Sequence, residues 1–192
     1  MRKFLIAGNW KMNKTVQEAK DFVVNLLQEI PAEPKSTVLV IPPFTALYPV
    51  ADLALDSAVK VGAQNIFWEK SGAFTAEISG DMLVSAGAEY VVIGHSERRQ
   101  YFNETDETVN KRVKAALTVG LTPIICVGEL LAERNANQAK PVVEKQIRGA
   151  YAGLSAAEAE KTVIAYEPVW AIGTGVVATP NRRRRCTPSF AV

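Results

Sequence analysis

The only histidine of the 192-residue chain, His95, directly follows an apolar run that reads as a strand, Tyr90-Val91-Val92-Ile93-Gly94. A polar segment, Ser96-Glu97-Arg98-Arg99, comes after it. Lys11 and Glu167 occupy comparable places, past Phe4-Leu5-Ile6-Ala7 and past Thr162-Val163-Ile164-Ala165-Tyr166. An imidazole, a carboxylate and an ammonium at strand ends are the parts of general acid–base chemistry, with a cation to stabilise developing negative charge. Each also has a plainer account. A lone histidine is most often structural, a loop glutamate is most often a solvated acid, and a lysine is most often a solvated cation. Being the sole histidine, at a strand end, tips His95 toward chemistry. Cys126 lies inside another apolar run, Thr122-Pro123-Ile124-Ile125-Cys126-Val127, where a cysteine is usually core.

The elements that would position these residues alternate. Short β-branched runs at 4–7, 37–41, 59–63, 90–94, 122–127 and 162–166 read as strands, each apolar enough to be buried on both faces. Helical periods fall between them. Thr15-x-x-Glu18 is a capping box, and Ala19, Phe22, Val23, Leu26, Leu27 and Ile30 then repeat on one inward face. A second helix starts near Thr105 and turns Val109, Val113, Ala116 and Leu117 inward, with Gly120 as its C′ residue. Ser155-x-x-Glu158 caps a short helix before the last strand. Pro42, Pro43 and Pro49 bound a further helix between the second and third strands. Alternating strands and helices imply parallel pairing with right-handed crossovers. Such a chain makes either an open doubly wound sheet or a barrel, and periodicity alone does not choose. No Gly-x-Gly-x-x-Gly follows the first strand, so a dinucleotide fold has no positive support.

Composition excludes several functions. Hydrophobic residues make up 48% and charged residues 22%, the balance of a globular protein with a substantial core. No stretch approaches the roughly 20 apolar residues of a membrane span, and the N-terminal apolar run breaks too early for a signal peptide. One histidine and two distant cysteines, Cys126 and Cys186, supply neither a zinc cluster nor a disulfide framework. Neither metal nor cofactor is expected. The net charge of +2 includes the four consecutive arginines 182–185, so the rest of the chain is net acidic by two. That argues against nucleic acid as a partner.

Five segments together resemble triosephosphate isomerase. They are Gly8-Asn9-Trp10-Lys11-Met12-Asn13, Gly62-Ala63-Gln64-Asn65, and Val92-Ile93-Gly94-His95-Ser96-Glu97-Arg98-Arg99. The others are Cys126-Val127-Gly128-Glu129 and the run from Ala165 through Tyr166-Glu167-Pro168-Val169-Trp170 to Gly173-Thr174-Gly175. Their order and spacing follow the family over residues 1–180. The resemblance implies an α/β fold of the (β/α)₈ TIM-barrel type, with chemistry at the carboxyl ends of the strands. In such a barrel Lys11, His95 and Glu167 would meet at one rim.

The same resemblance implies interconversion of glyceraldehyde 3-phosphate and dihydroxyacetone phosphate through an enediolate. Glu167 would be the base, its proton affinity raised in a closed, dry site. His95 would polarise the substrate oxygens as a neutral imidazole held so by a helix N-terminus, as is known for this family. Lys11 would place positive charge near the enediolate and the phosphate, and Asn9 would line the substrate site. Ser96 and Glu97 would support this network, although an ion pair of Glu97 with Arg98 or Arg99 competes. Cys126 matches a family position, with the core account preferred. Residues 168–178 resemble the family's lid, with Gly173 offering its N–H to the phosphate. Val176 stands where the family usually carries a polar residue. The long connection 64–77, with Phe67, Trp68 and Phe74, would be the interdigitating loop of a homodimer, Thr75 reaching the partner's site; a self-packed surface loop is the alternative. The expected partners are thus a phosphorylated triose and a second copy, in the cytoplasm, with neither nucleic acid nor membrane.

The end of the chain departs from the pattern. Thr179-Pro180 is a good helix start, but residues 181–192 continue with arginines and Pro188 rather than a helix. The expectation is an incomplete barrel domain over 1–180, six of eight β/α units, and a disordered basic tail over 181–192. The first and last strands would lack partners on one edge, which predicts weak stability and activity. A non-catalytic remnant that only self-associates or binds is the alternative, and another phosphosugar-binding barrel enzyme is a third.

Overall fold

The computed structural model describes residues 4–172. The glycine expected in a lid, Gly173, the helix start expected at Thr179, Cys186 and the arginine run all lie outside the described residues.

Six strands form from the expected runs: β1 (Phe4–Asn9), β2 (Ser36–Ile41), β3 (Val59–Ala63), β4 (Tyr90–Ile93), β5 (Thr122–Val127) and β6 (Val163–Tyr166). Strand order follows sequence order. The helices are α1 (Val16–Glu29), α2 (Phe44–Ala54), α3 (Gly80–Ser85), α4 (Ser96–Tyr101), α5 (Asp106–Thr118), α6 (Leu131–Asn135), α7 (Ala139–Ala150) and α8 (Ala156–Ala159). A 3₁₀ turn covers Val169–Ala171. The chain divides into two compact units, one holding residues up to Ile93 with Lys114–Pro123, the other Gly94–Val113 and residues from Ile124 onward.

In the first unit β1, β2, β3 and β4 pair in parallel, with Ala7 opposite Leu39, Val40 opposite Val61 and Gly62 opposite Tyr90. The interior strands are covered on both sides: Leu39, Ile41, Val61 and Ala63 are buried. β1 is not. Phe4 is 82% and Ile6 61% exposed, against the expectation of burial on both faces. Among the described residues β1 pairs only with β2, so one edge and part of its surface lack cover.

Helix α1 carries the complete capping box. The Thr15 side chain accepts from the Glu18 N–H, while Glu18 Oε2 accepts from the Thr15 N–H at 2.7 Å. Ala19 and Val23 are buried as expected, but Phe22 is 39% exposed. Its ring instead meets Trp10 edge-on at 5.3 Å. Pro49 does not bound α2 but sits inside it. The helix tolerates it because proline's fixed φ is helical, and the Thr45 carbonyl that loses its donor belongs to an exposed residue. Helix α5 ends as predicted. Gly120, at φ +81°, donates to the Leu117 carbonyl, and the Leu121 N–H reaches Ala116 O, a Schellman closure.

In the second unit β5 and β6 pair in parallel, Cys126 opposite Ala165 and Val127 opposite Tyr166. All four β6 residues are half-buried rather than buried. The predicted Ser155–Glu158 box caps α8. The amphipathic α7, with Val143 and Ala150 buried, was not visible in the sequence pattern.

Candidate active site

In the first unit the turn after β1 holds Asn9 and Lys11 in one local structure. Lys11 adopts the left-handed region, φ 53°, which a residue with a Cβ enters at a cost of roughly 1–2 kcal/mol. Two side chains hold it there. Asn9 Oδ1 accepts from the Lys11 N–H at 3.0 Å, and Gln64, just past β3, donates Nε2 to the Lys11 carbonyl at 2.9 Å. The same Nε2 reaches the Ile41 carbonyl at the end of β2, 3.1 Å away. Gln64 thus stitches the carboxyl ends of these strands to the lysine backbone. Beyond it, the Phe67 ring packs at a tilt against both Trp68 and Phe74, with ring centroids 4.1 and 4.8 Å away. Thr75 is exposed.

In the second unit His95 is the N-cap of α4, using its own ring. Nδ1 accepts from the Glu97 N–H at 3.2 Å, and the His95 carbonyl accepts from Arg98 N and Arg99 N. Glu97 Oε2 lies 3.6 Å from the same Nδ1. Because a backbone N–H donates to Nδ1, the proton of the neutral ring resides on Nε2. That nitrogen faces Glu167 Oε2 at 3.3 Å.

Glu167 follows β6, its backbone N–H donating to the Val127 carbonyl at the end of β5. Its carboxylate sits at the first turn of α4, where helix N–H groups favour an anion. Oε1 accepts from Ser96 N at 2.6 Å and Oε2 from Ser96 Oγ at 3.1 Å. Both members of the His95–Glu167 pair are well covered, with 12% and 14% of their side chains exposed. Cys126 is buried, and burial, reinforced by the negative charge of Glu167, pushes its thiol well above the ordinary range. It is a neutral side chain in the core. Arg98 pairs with Glu104, and Arg99 with Asp106 at 2.7 Å.

Two features were not foreseen. Glu129, two residues past β5, is fully buried, and its carboxylate gathers three donors. Tyr166 Oη lies 3.0 Å from each oxygen, Trp170 Nε1 donates at 2.9 Å and Arg134 Nη1 at 2.7 Å. The Arg134 guanidinium also lies 4.7 Å from the Trp170 ring centroid. The turn after Glu167 is therefore anchored to β5 by a charge and a ring face. Position alone, an acid just past a strand like Glu167, was the available signal. The second feature is Gly128. A Cβ there would overlap the Glu167 carbonyl oxygen and come within 2.9 Å of its carbonyl carbon. The Gln146 side chain brackets the same residue, accepting from Gly128 N at 2.8 Å and donating to Gly128 O at 3.0 Å.

Parallel strands that follow sequence order, with helices between them and a histidine and a carboxylate at the strand ends, are the mark of an enzyme of the β/α-barrel class, here with six of the eight units among the described residues. The triosephosphate isomerase family model matches residues 4–188, and the chain belongs to that family. It is 56% identical over 182 residues to the triosephosphate isomerase of Endomicrobium trichonymphae, covering 95% of this chain and 73% of that protein. The enzymes of Alkaliphilus oremlandii and Moorella thermoacetica are each 53% identical over 179 residues, covering 93% of this chain and 72% of theirs. Among the described residues no helix is long and apolar enough to cross a membrane.

Proposed function

We propose that the chain interconverts glyceraldehyde 3-phosphate and dihydroxyacetone phosphate through an enediolate. The observation that carries this is the covered pair of His95 Nε2 and Glu167 Oε2 at 3.3 Å, in a chain of this family. Glu167 is the base that moves a proton between adjacent carbons, and it leaves Ser96 to do so, since both its oxygens are engaged there. His95 presents an N–H, not a lone pair, to the substrate oxygens, so it acts as an electrophile. Lys11 supplies positive charge for the enediolate and phosphate, with Asn9 fixing its turn. Glu97 and Ser96 orient these groups, and Cys126 packs behind them.

We further propose a cytoplasmic homodimer working in glycolysis and gluconeogenesis, with the 64–77 loop at the subunit contact. What supports the loop assignment is its aromatic cluster about Phe67, ending in the 44% exposed Phe74 and the exposed Thr75.

The test is turnover of glyceraldehyde 3-phosphate by the purified chain beside an identically prepared Glu167→Ala variant. Removing the base is expected to cost roughly 10²- to 10⁴-fold in kcat. Equal rates in both preparations would reject the activity.

A further inference from the structure

Gly94 joins β4 to His95 and takes φ +72°, a conformation that positions the peptide group leading into the histidine. A side chain there is excluded twice, by strain and by Val109 Cγ2, which would lie 2.9 Å from a Cβ. What holds this peptide is Arg99. Its Nε donates to the Gly94 carbonyl at 3.0 Å, and its backbone N–H donates to the His95 carbonyl at 3.1 Å. One residue therefore grips the carbonyls on both sides of the histidine.

The guanidinium is itself anchored. Arg99 Nη1 binds Asp106 Oδ1 at 2.7 Å, at the first residue of α5. Asp106 in turn rests on α7 at Gly149, where a Cβ would stand 2.6 Å from Asp106 Cβ. The geometry uses what separates arginine from lysine: a planar fork that bonds in two directions at once. Lysine has one terminal nitrogen and no counterpart of the Nε donor that Arg99 places on the Gly94 carbonyl.

We infer that Arg99 is a positioning residue for His95, fixing the backbone so that the imidazole keeps Nδ1 on the Glu97 N–H and Nε2 toward Glu167. The inference rests on the catalytic role proposed for His95. The alternative is that Arg99 merely ties α4 to α5 and supports the fold.

The sole histidine provides a readout independent of turnover. In the full chain labelled with ¹⁵N-histidine, the two ring nitrogens should give separate signals, one bearing hydrogen and one not, as the Nε2–H form requires. In Arg99→Lys and Arg99→Met the two signals should draw together as the ring samples both tautomers. Lysine should not rescue. Gly149→Ala, whose added methyl meets Asp106 and not the histidine, should shift them the same way by a smaller amount. In active preparations kcat should fall roughly 10- to 100-fold in the Arg99 variants, the range expected for misplacing a reacting group by about an ångström. KM should change far less.

Far-UV circular dichroism and cooperative unfolding identify the folded variants. Imidazole signals unchanged in folded Arg99 variants, or restored by lysine, would overturn the inference, as would a parent chain without distinct ring signals. If Arg99→Met does not fold, Arg99→Lys and Gly149→Ala decide on the same criterion. A parent with no turnover whose ring signals still respond to Arg99 would reject the isomerase activity and keep the positioning role.

Discussion

Ser96 binds Glu167 through two different groups, its backbone N–H to Oε1 at 2.6 Å and its hydroxyl to Oε2 at 3.1 Å. The first contact belongs to the helix turn and survives any substitution that keeps the fold. The second belongs to the side chain. A double-mutant cycle between Ser96→Ala and Glu167→Ala, read by urea unfolding, should therefore show a coupling of about 1–2 kcal/mol. A coupling near zero would mean that the backbone alone stations the carboxylate.

Lys11 separates backbone strain from charge. Lys11→Gly and Lys11→Ala both delete the ammonium, so both should lose turnover to the same extent. Only glycine relieves the φ of 53°. The glycine variant should thus be more stable than the alanine variant by about 1 kcal/mol in thermal or urea unfolding. Equal stabilities would mean that the bonds from Asn9 and Gln64 leave no strain at this position.

Glu129 gathers donors from Arg134, Tyr166 and Trp170, so its replacement should be felt both in stability and in the seating of the Trp170 ring. Glu129→Gln keeps the shape but loses the charge and points an NH₂ at existing donors. The expected cost is about 2 kcal/mol. Of the three tryptophans, Trp10 and Trp68 can be changed to phenylalanine so that emission reports Trp170 alone. That emission should move to the red as the indole becomes solvated. An unshifted spectrum with unchanged unfolding would reject the anchor.

The capping box of α1 gives a pH dependence with a definite sign. The Glu18 carboxyl is held below its ordinary 4.5, chiefly by the backbone N–H of Thr15 and then by its hydroxyl. The native state thus binds this proton more weakly than the unfolded chain. The stabilisation is present above the ordinary value and is lost as pH falls through the lowered native one. Parent and Glu18→Gln should therefore differ in unfolding midpoint at about pH 7 and converge as pH drops below about 4. A gap that persists in acid would contradict the assignment.

The strands were legible because β-branched apolar runs have few other uses, and α1, α5 and α8 because their caps are spelled out in Thr15–Glu18, Gly120 and Ser155–Glu158. Burial was less legible. The run Phe4-Leu5-Ile6-Ala7 marks a strand but says nothing of what covers it, and Phe4 and Ile6 proved exposed. Helix α7 escaped notice because its buried Val143 and Ala150 are diluted by Lys140, Glu144, Lys145 and Arg148, and Pro141 in its first turn reads as a breaker. Helices α3 and α4, six residues each, are too short to establish a period. Within the site, His95 stood out as the sole histidine at a strand end, and Glu167 through the resemblance of Tyr166-Glu167-Pro168-Val169-Trp170 to the family. Glu129 did not, because an acid in sequence looks solvated until its partners arrive from as far as 41 residues away.

Gly128 also bears on how this sequence can change. The residue has no side chain to contribute, yet any Cβ there would collide with the main chain at Glu167. Every amino acid within one nucleotide of a glycine codon has a Cβ. A single base change at this codon that alters the residue would therefore displace Glu167, the base proposed above, without altering any of the side chains proposed to perform chemistry. Surveyed across variants, position 128 should be as intolerant as position 167, and a loss of function mapped there should look like a catalytic defect in a chain whose catalytic side chains are all intact.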